Sequence, residues 1–269
     1  MWIFSIIYHQ NTEYPKMLAH ERHQQILTLL GERGTVRTID LAEELQVTDE
    51  TIRRDLQSLA DDQLLTRIHG GASNASGRPK LQSFIERSNT NIESKQAIAR
   101  AAVEMIHPGQ TYAFDSSTTA VALVHTLPDL PFRVVTNALA VIDHVTRLEE
   151  VELISTGGRF HSKTNTFVGG DSINTLRRHH IHTAFISSIG FETERGASEG
   201  YEQQATFKER LVQFSEIIVL LIDSSKFNVS SEYYFAETGR ISRIITDSGI
   251  KPSIADEIRG MGIKLTIAE

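Results

Sequence analysis

Not one of the 269 residues is a cysteine, so the chain has neither disulfides nor thiolate metal ligands. That absence fits a reducing cytoplasm, where the protein is expected to act. No apolar run reaches the roughly 20 residues that a membrane-spanning helix needs, so no membrane partner is expected. The opening MWIFSIIY is apolar but too short to span, and it lacks the basic leader and small-residue cleavage site of a secretory signal. Residues 1–16 are expected to be a disordered or adventitious extension, the alternative being a short packing or dimerisation strand. Positive charge is also short: 27 Lys and Arg against 34 Asp and Glu give −7. That balance argues against indiscriminate coating of nucleic acid, but a sequence-specific reader needs only a local basic face.

What is present begins with a short helical domain at 17–72. The first helix is predicted over about 20–32, with Ile26, Leu27, Leu29 and Leu30 on its apolar face and Gly31 and Gly34 ending it. Thr38 is expected to cap a second helix through Leu41, Ala42 and Leu45, and Thr48 a third. In that third helix Ile52, Leu56 and Leu59 repeat at helical spacing and must face a core. The other face carries Asp49, Thr51, Arg53 and Arg54. Only Gln46-Val47 separates the second and third helices, the tight turn of a helix-turn-helix. Leu64 to Ile68 alternates as a strand, expected to pair with Val36 as a wing that turns Arg67 and His69 outward toward phosphates. One of Arg53 and Arg54 can bond a guanine edge while the other holds a phosphate, and the sequence does not say which. The competing reading is a helical bundle with a solvated arginine pair. Candidate DNA contacts are thus Thr48, Asp49, Thr51, Arg53, Arg54, Arg67 and His69.

A small, polar, proline-broken stretch at 73–81 reads as a linker. From 82 to 269 strand-like runs (111–115, 133–136, 151–155, 183–189, 217–222, 243–246) alternate with helical ones, which predicts an α/β domain with a parallel sheet. Ligands of such sheets sit at the carboxyl ends of strands. Those ends hold Asp115-Ser116-Ser117-Thr118-Thr119, suited to a phosphate or to plain helix capping, then Asn137 and the close-approach glycines Gly157 and Gly158. Glu202, Lys208 and Lys226 follow. Together they suggest a pocket for a phosphorylated sugar. The run Arg177-Arg178-His179-His180-Ile181-His182 is read as a solvated helix end, because its arginines would repel a cation. No metal site and no cofactor is expected.

ERHQQIL, DLAEELQVTDETIRRDLQSL and LLTRIHGGA resemble the winged helix-turn-helix of the DeoR family of bacterial sugar-metabolism regulators. FDSSTT, VVTNALAV, LISTGG, the IGF run and LIDSSKF resemble its sensor domain, which is similar to the ribose-5-phosphate isomerase and CoA-transferase fold. The resemblance covers about 17–247. It implies a non-enzymatic regulator, a repressor of a sugar catabolic operon that binds operator DNA as a homodimer or homotetramer. It also implies a sugar-phosphate effector contacted by Asp115, Ser116, Ser117, Thr118, Thr119, Asn137, Lys208 and Lys226. Ser117 stands where many members have glycine, and the wording is nearest the fucose-operon branch, pointing toward a deoxy-ketose 1-phosphate. The alternative is a sugar-phosphate isomerase with Glu202 or Asp115 as base.

Overall fold

The computed structural model describes residues 18–33, 35–61, 64–68, 70–73 and 84–269. The expected extension at 1–16, the wing contact His69 and all of the 73–81 linker except Ser73 lie outside those residues. The chain divides into two compact units, Met1–Leu81 and Gln82–Glu269.

The first unit runs α1 (Ala19–Arg33), β1 (Thr35–Arg37), α2 (Thr38–Glu44), α3 (Asp49–Asp61), β2 (Thr66–Ile68) and β3 (Gly71–Ser73). Ile26, Leu30, Leu41, Ile52 and Leu56 are fully buried and pack with Leu45, Leu59 and Leu65. These are the positions that helical spacing picks out. Thr48 caps α3 as predicted, its Oγ1 accepting the Thr51 backbone N–H at 3.3 Å. Thr38 does not cap. It is the first residue inside α2, and its own N–H donates to the Gly70 carbonyl at 2.9 Å. Gly31 does not end α1, which continues to Arg33.

The wing corrects the sequence reading in two ways. Strand order is β1-β3-β2, so β2 pairs with β3 and not with Val36. Gly71-Ala72-Ser73, read as hairpin end and linker start, forms the middle strand. The two glycines serve different needs. Gly70 turns the chain at φ +78°, whereas a Cβ on Gly71 would lie 2.0 Å from the Val36 carbonyl oxygen. The second correction is strand parity. Leu65 is buried and Arg67 half-buried, while Thr66 and Ile68 are exposed. Adjacent strand residues face opposite sides, so burying Leu65 turns Arg67 inward with it.

One polar contact joins α1 to α3. Asp55, on the inner face of α3, accepts from Arg22 Nε at 2.5 Å and Nη2 at 3.0 Å, with His23 Nε2 at 3.0 Å from its Oδ1. Arg22 and Asp55 are both buried. The carboxylate holds the Arg22 guanidinium above its already high ordinary pKa, chiefly through the hydrogen bond.

In the second unit come α4 (Phe84–Ser88), α5 (Ile92–Val103), β4 (Thr111–Phe114), α6 (Thr118–Val124), β5 (Arg133–Thr136), α7 (Leu139–Val145) and β6 (Glu152–Ser155). Next are β7 (Arg159–His161), β8 (Thr166–Val168), α8 (Gly170–Arg177), β9 (Ile181–Ile186), β10 (Gly190–Glu192), β11 (Gly196–Glu199), α9 (Glu202–Phe214) and β12 (Ser215–Leu221). The unit closes with β13 (Tyr233–Ala236), β14 (Arg243–Asp247), α10 (Pro252–Gly260) and β15 (Lys264–Ala268). Seven strands form one parallel sheet in the order β15-β14-β12-β9-β4-β5-β6.

Alternate residues of its central strands enter two cores. Tyr112, Phe114, Phe185, Val219 and Leu221 pack with α5, α6 and α7. Ala113, Ala184, Ile186, Ile218 and Leu220 pack with α8, α9 and α10. The sheet is therefore covered on both faces, as a parallel sheet requires. From β4 the chain builds outward through β5 and β6, then returns to add β9, β12, β14 and β15 on the other side. The topological switch lies between β4 and β9, the place beyond whose strand ends ligands of such sheets bind.

Because Asp55→Ala leaves a buried guanidinium without its carboxylate, we expect it to destabilise the first unit by about 3 kcal/mol. Urea unfolding of the full chain, followed by far-UV circular dichroism, measures this loss.

Candidate functional site

The exposed side of α3 carries both arginines of the pair. Arg53 is exposed, and Arg54 lies 3.3 Å from Glu50 one turn earlier, with both side chains largely in solvent. Such a pair is worth little and yields readily to a stronger anion. Asp49 is exposed too, while the Thr48 and Thr51 hydroxyls bond each other at 2.9 Å. Arg67 does not share this face. It is half-buried, and its Nη1 is enclosed without a hydrogen-bond partner.

In the second unit the predicted strand-end residues converge, but many engage one another. Asp115 is fully buried at the switch point. Its Oδ1 accepts from Ser117 N at 2.9 Å and Ser117 Oγ at 2.5 Å; its Oδ2 accepts from Ser187 N at 2.9 Å and lies 3.2 Å from Lys208 Nζ. Lys208 Nζ also donates to the Ser187 carbonyl at 2.8 Å and to Glu199 Oε2 at 2.5 Å. Three donors meet three acceptors, and four lone-pair sites on Asp115 meet four donors. Burial alone would push the Lys208 ammonium down, but Glu199 and Asp115 outweigh it and raise its pKa above the ordinary lysine value.

The hydroxyls of the 116–118 loop are engaged in the same way. Ser116 donates to Gln204 Oε1 at 2.8 Å and Thr118 to the Arg87 carbonyl at 3.4 Å. Ser117 gives its proton to Asp115 and accepts the Ala120 N–H at 3.1 Å, capping α6. A phosphate needs donors, and these protons already have acceptors within the protein. Thr119 is buried.

Free cationic donors come from elsewhere. Lys95 is buried and gives two protons to the Arg87 and Thr90 carbonyls. Its pKa is lowered, first by burial and then by Lys226 and Arg87, against the opposing charge of Asp223. Asp223 caps the 3-10 turn that carries Lys226 and accepts from Asn91 Nδ2 at 3.0 Å, with Asn91 in the left-handed region at φ +51°. Arg87 Nε is buried and unpartnered. Arg87 and Lys95 were missed by the sequence reading, although their spacing of eight across a helix start was visible.

The remaining predicted residues divide. Asn137 is buried at the end of β5, with Nδ2 donating to the Phe167 carbonyl at 3.0 Å. Lys226 is half-buried beside Lys95. Glu202 is exposed at the start of α9 and joins no cluster; the carboxylate that reaches Lys208 is Glu199. Gly157 (φ +63°) and Gly158 (φ +111°) make a sharp turn, and a Cβ on Gly158 would meet the Val168 carbonyl oxygen at 2.7 Å. That close approach is to this chain's own backbone. The histidine run spans the end of α8, whose last residue is Arg177 and whose cap is Arg178, and the start of β9, which holds His182; the exposed His180 sits 3.3 Å from Glu216. Among the described residues no group of three or more His, Asp or Glu could hold a metal ion. None of their helices is long and apolar enough to cross a membrane.

Comparison with known proteins agrees with this division of labour. The DeoR-like helix-turn-helix domain matches residues 22–77, and the DeoR C terminal sensor domain matches residues 90–248. The chain is 34% identical to the uncharacterized HTH-type transcriptional regulator YulB of Bacillus subtilis, over 93% of this chain and 97% of that one. It is 33% identical to the lactose phosphotransferase system repressor of Streptococcus mutans, over 86% and 93%. It is 32% identical to the L-fucose operon activator of Haemophilus influenzae, over 87% and 94%. Among solved structures, ribose 5-phosphate isomerase A of Methanocaldococcus jannaschii superposes with a TM-score of 0.40 and 16% identity, over 51% of this chain and 55% of that one.

Lys208→Met removes the cation between two buried carboxylates, and we expect a loss of about 3 kcal/mol at pH 7. The raised Lys208 pKa means wild type keeps this stabilisation below the ordinary lysine range and loses it only as pH rises through the elevated value. In the variant, acid relieves the carboxylate repulsion, so its deficit shrinks from pH 7 to pH 5. Paired urea titrations at the two pH values check both the loss and its direction.

Proposed function

Because the chain belongs to the DeoR family of transcriptional regulators, we propose that it represses a sugar catabolic operon in the cytoplasm and is released by a phosphorylated sugar. The regulator reads double-stranded operator DNA through Arg53 and Arg54 and assembles as a homodimer or homotetramer. The observation that carries the effector half is the group Arg87, Lys95 and Lys226 beside the polar strand ends, with an enclosed guanidinium N–H that has no partner. A buried donor of that kind is stabilised by an anion, and a phosphoryl group supplies three acceptor oxygens. Repression is the sign carried by the lactose-system relative, activation by the fucose relative.

The isomerase alternative is not favoured. Family members are regulators, and the two carboxylates nominated as base are unsuited to it: Asp115 has every lone-pair site engaged, and Glu202 faces solvent.

On DNA, one arginine of the pair specifies and the other positions. Arg53→Ala and Arg54→Ala should each weaken operator binding; the base-reading residue costs about 1–3 kcal/mol, while loss of the phosphate contact lowers the salt slope by about 1. Fluorescence anisotropy across a salt series separates the two, and unchanged binding by both variants sinks the reading.

For the effector, a thermal-shift screen of phosphorylated sugars is the test, since ligand at a hundred times its Kd adds about 2.7 kcal/mol of stability. The hits should lower operator affinity, and Lys95→Met should abolish their shift. A panel without a hit removes the effector reading.

A further inference from the structure

Asn137 Oδ1 and Ser188 Oγ are both buried, and neither has a hydrogen-bond partner. Asn137 is only 1% exposed and Ser188 7%. An enclosed polar atom left unpaired is costly, and in a folded protein it calls for a physical reason. These two stand just past the carboxyl ends of β5 and β9, the strands on either side of β4. We infer that they form a hydroxyl-reading subsite of the effector pocket, distinct from the Arg87, Lys95 and Lys226 cations, while Asp115 and Lys208 do not touch the ligand. This inference rests on the sugar-phosphate reading above.

The chemistry separates the two ends of the ligand. The Asn137 amide cannot be reversed, because its Nδ2 donates to the Phe167 carbonyl at 3.0 Å and a flip would set oxygen against oxygen. Its free Oδ1 is therefore an acceptor only, and it demands a donor. An ionised phosphoryl oxygen has none to give, but a sugar hydroxyl does. Ser188 Oγ can donate or accept. Asp115 and Lys208, the charged groups at the same switch point, have no capacity left for a ligand.

The spacing fits one sugar. Strands β5 and β9 are two intervals apart across β4, about 10 Å at the usual strand separation. That span accepts a single sugar ring with one hydrogen bond at each side. The cations gather around Asp223, just past β12, on the far side of β9 from Asn137. The phosphoryl group is thus oriented toward β12 and the free hydroxyls toward β5. The ligand class is a phosphorylated monosaccharide with an unblocked hydroxyl at the end remote from phosphate. A site built around such a hydroxyl rejects analogues that lack it.

The test uses the full chain, its Asn137→Leu and Ser188→Ala variants and Lys95→Met. Each is titrated calorimetrically with inorganic phosphate and with a panel of pentose and hexose phosphates. Each subsite variant should lose about tenfold in affinity for the sugar phosphate that binds wild type. Both should keep phosphate affinity within about twofold, whereas Lys95→Met loses both ligands. Retained phosphate binding also reports an intact fold, and Ser188→Ala removes only one oxygen. Subsite variants that bind the sugar phosphate like wild type, as they would if buried water satisfies these atoms, overturn the inference; so does parallel loss of both ligands. Wild type that binds phosphate but no sugar phosphate overturns the subsite and leaves the anion site standing. Wild type that binds neither removes the effector reading itself, and the subsite with it.

Discussion

The contact on which the sensor domain depends is the one between Asp115 and Lys208. Asp115 follows β4, and its carboxylate accepts the Ser187 N–H just past β9, so one side chain bridges the two strands at the topological switch. Within the sheet the backbone ladder holds neighbours together, and this side-chain bond lies just past its last pair here, Phe114 and Phe185. The charge of Asp115, neutralised by an ammonium from α9 that also bonds the Ser187 carbonyl, ties that helix to the ends of both strands. Glu199 adds a second carboxylate and ties in β11. Removing these charges from solvent is costly, and the arrangement persists because each donor and acceptor is matched. The same completeness prevents the network from binding anything else.

The reader domain uses a smaller version of the same device. Asp55 lies between the exposed Arg54 and the buried Leu56 on α3, and Arg22 engages it from α1. With that carboxylate turned inward, the outward face near the arginines loses one negative charge that would oppose phosphate. Two adjacent arginines followed by an acid would otherwise be a poor basic surface. Burial of the acid makes it a usable one.

Much of this was legible in the chain because hydrophobic spacing is a local property. Ile52, Leu56 and Leu59 identify the inner face of α3, and Thr48 its start, with no knowledge of the rest. The apolar runs between 111 and 246 likewise mark strands. Parity and pairing were harder to read. Leu65 and Arg67 could face either way until a third strand, Gly71–Ser73, took the place beside β1 and buried Leu65. For the site, strand-end position picked out Asp115 and Asn137, which the fold sets just past β4 and β5, while Lys208 reaches the same switch point from within α9. Their roles were not legible, because whether a side chain meets a ligand or a neighbour depends on partners distant in sequence. Ser187 and Glu199 decide the matter for Lys208, and Gln204 for Ser116. Glu202 and Glu199 sit three residues apart at a strand-to-helix turn, and only the fold shows which one points inward.

On the proposed effector reading, the unpaired atoms also bear on how a ligand would change affinity for DNA. Moving a two-state protein from 1:99 to 99:1 takes about 5.5 kcal/mol of differential binding. A ligand supplies that only through contacts available in one arrangement and absent in the other. Arg87 Nε lies in α4 and Asn137 Oδ1 and Ser188 Oγ in the loops after β5 and β9, and each incurs about 1–3 kcal/mol while unsatisfied. Their sum is of the size required. An arrangement that holds all three toward one crevice is costly when empty and is stabilised when filled, whereas one that parts α4 from β5 and β9 gains nothing from the ligand. On that reading coupling would need no large interface with the effector, only that these three atoms converge in one state and separate in the other.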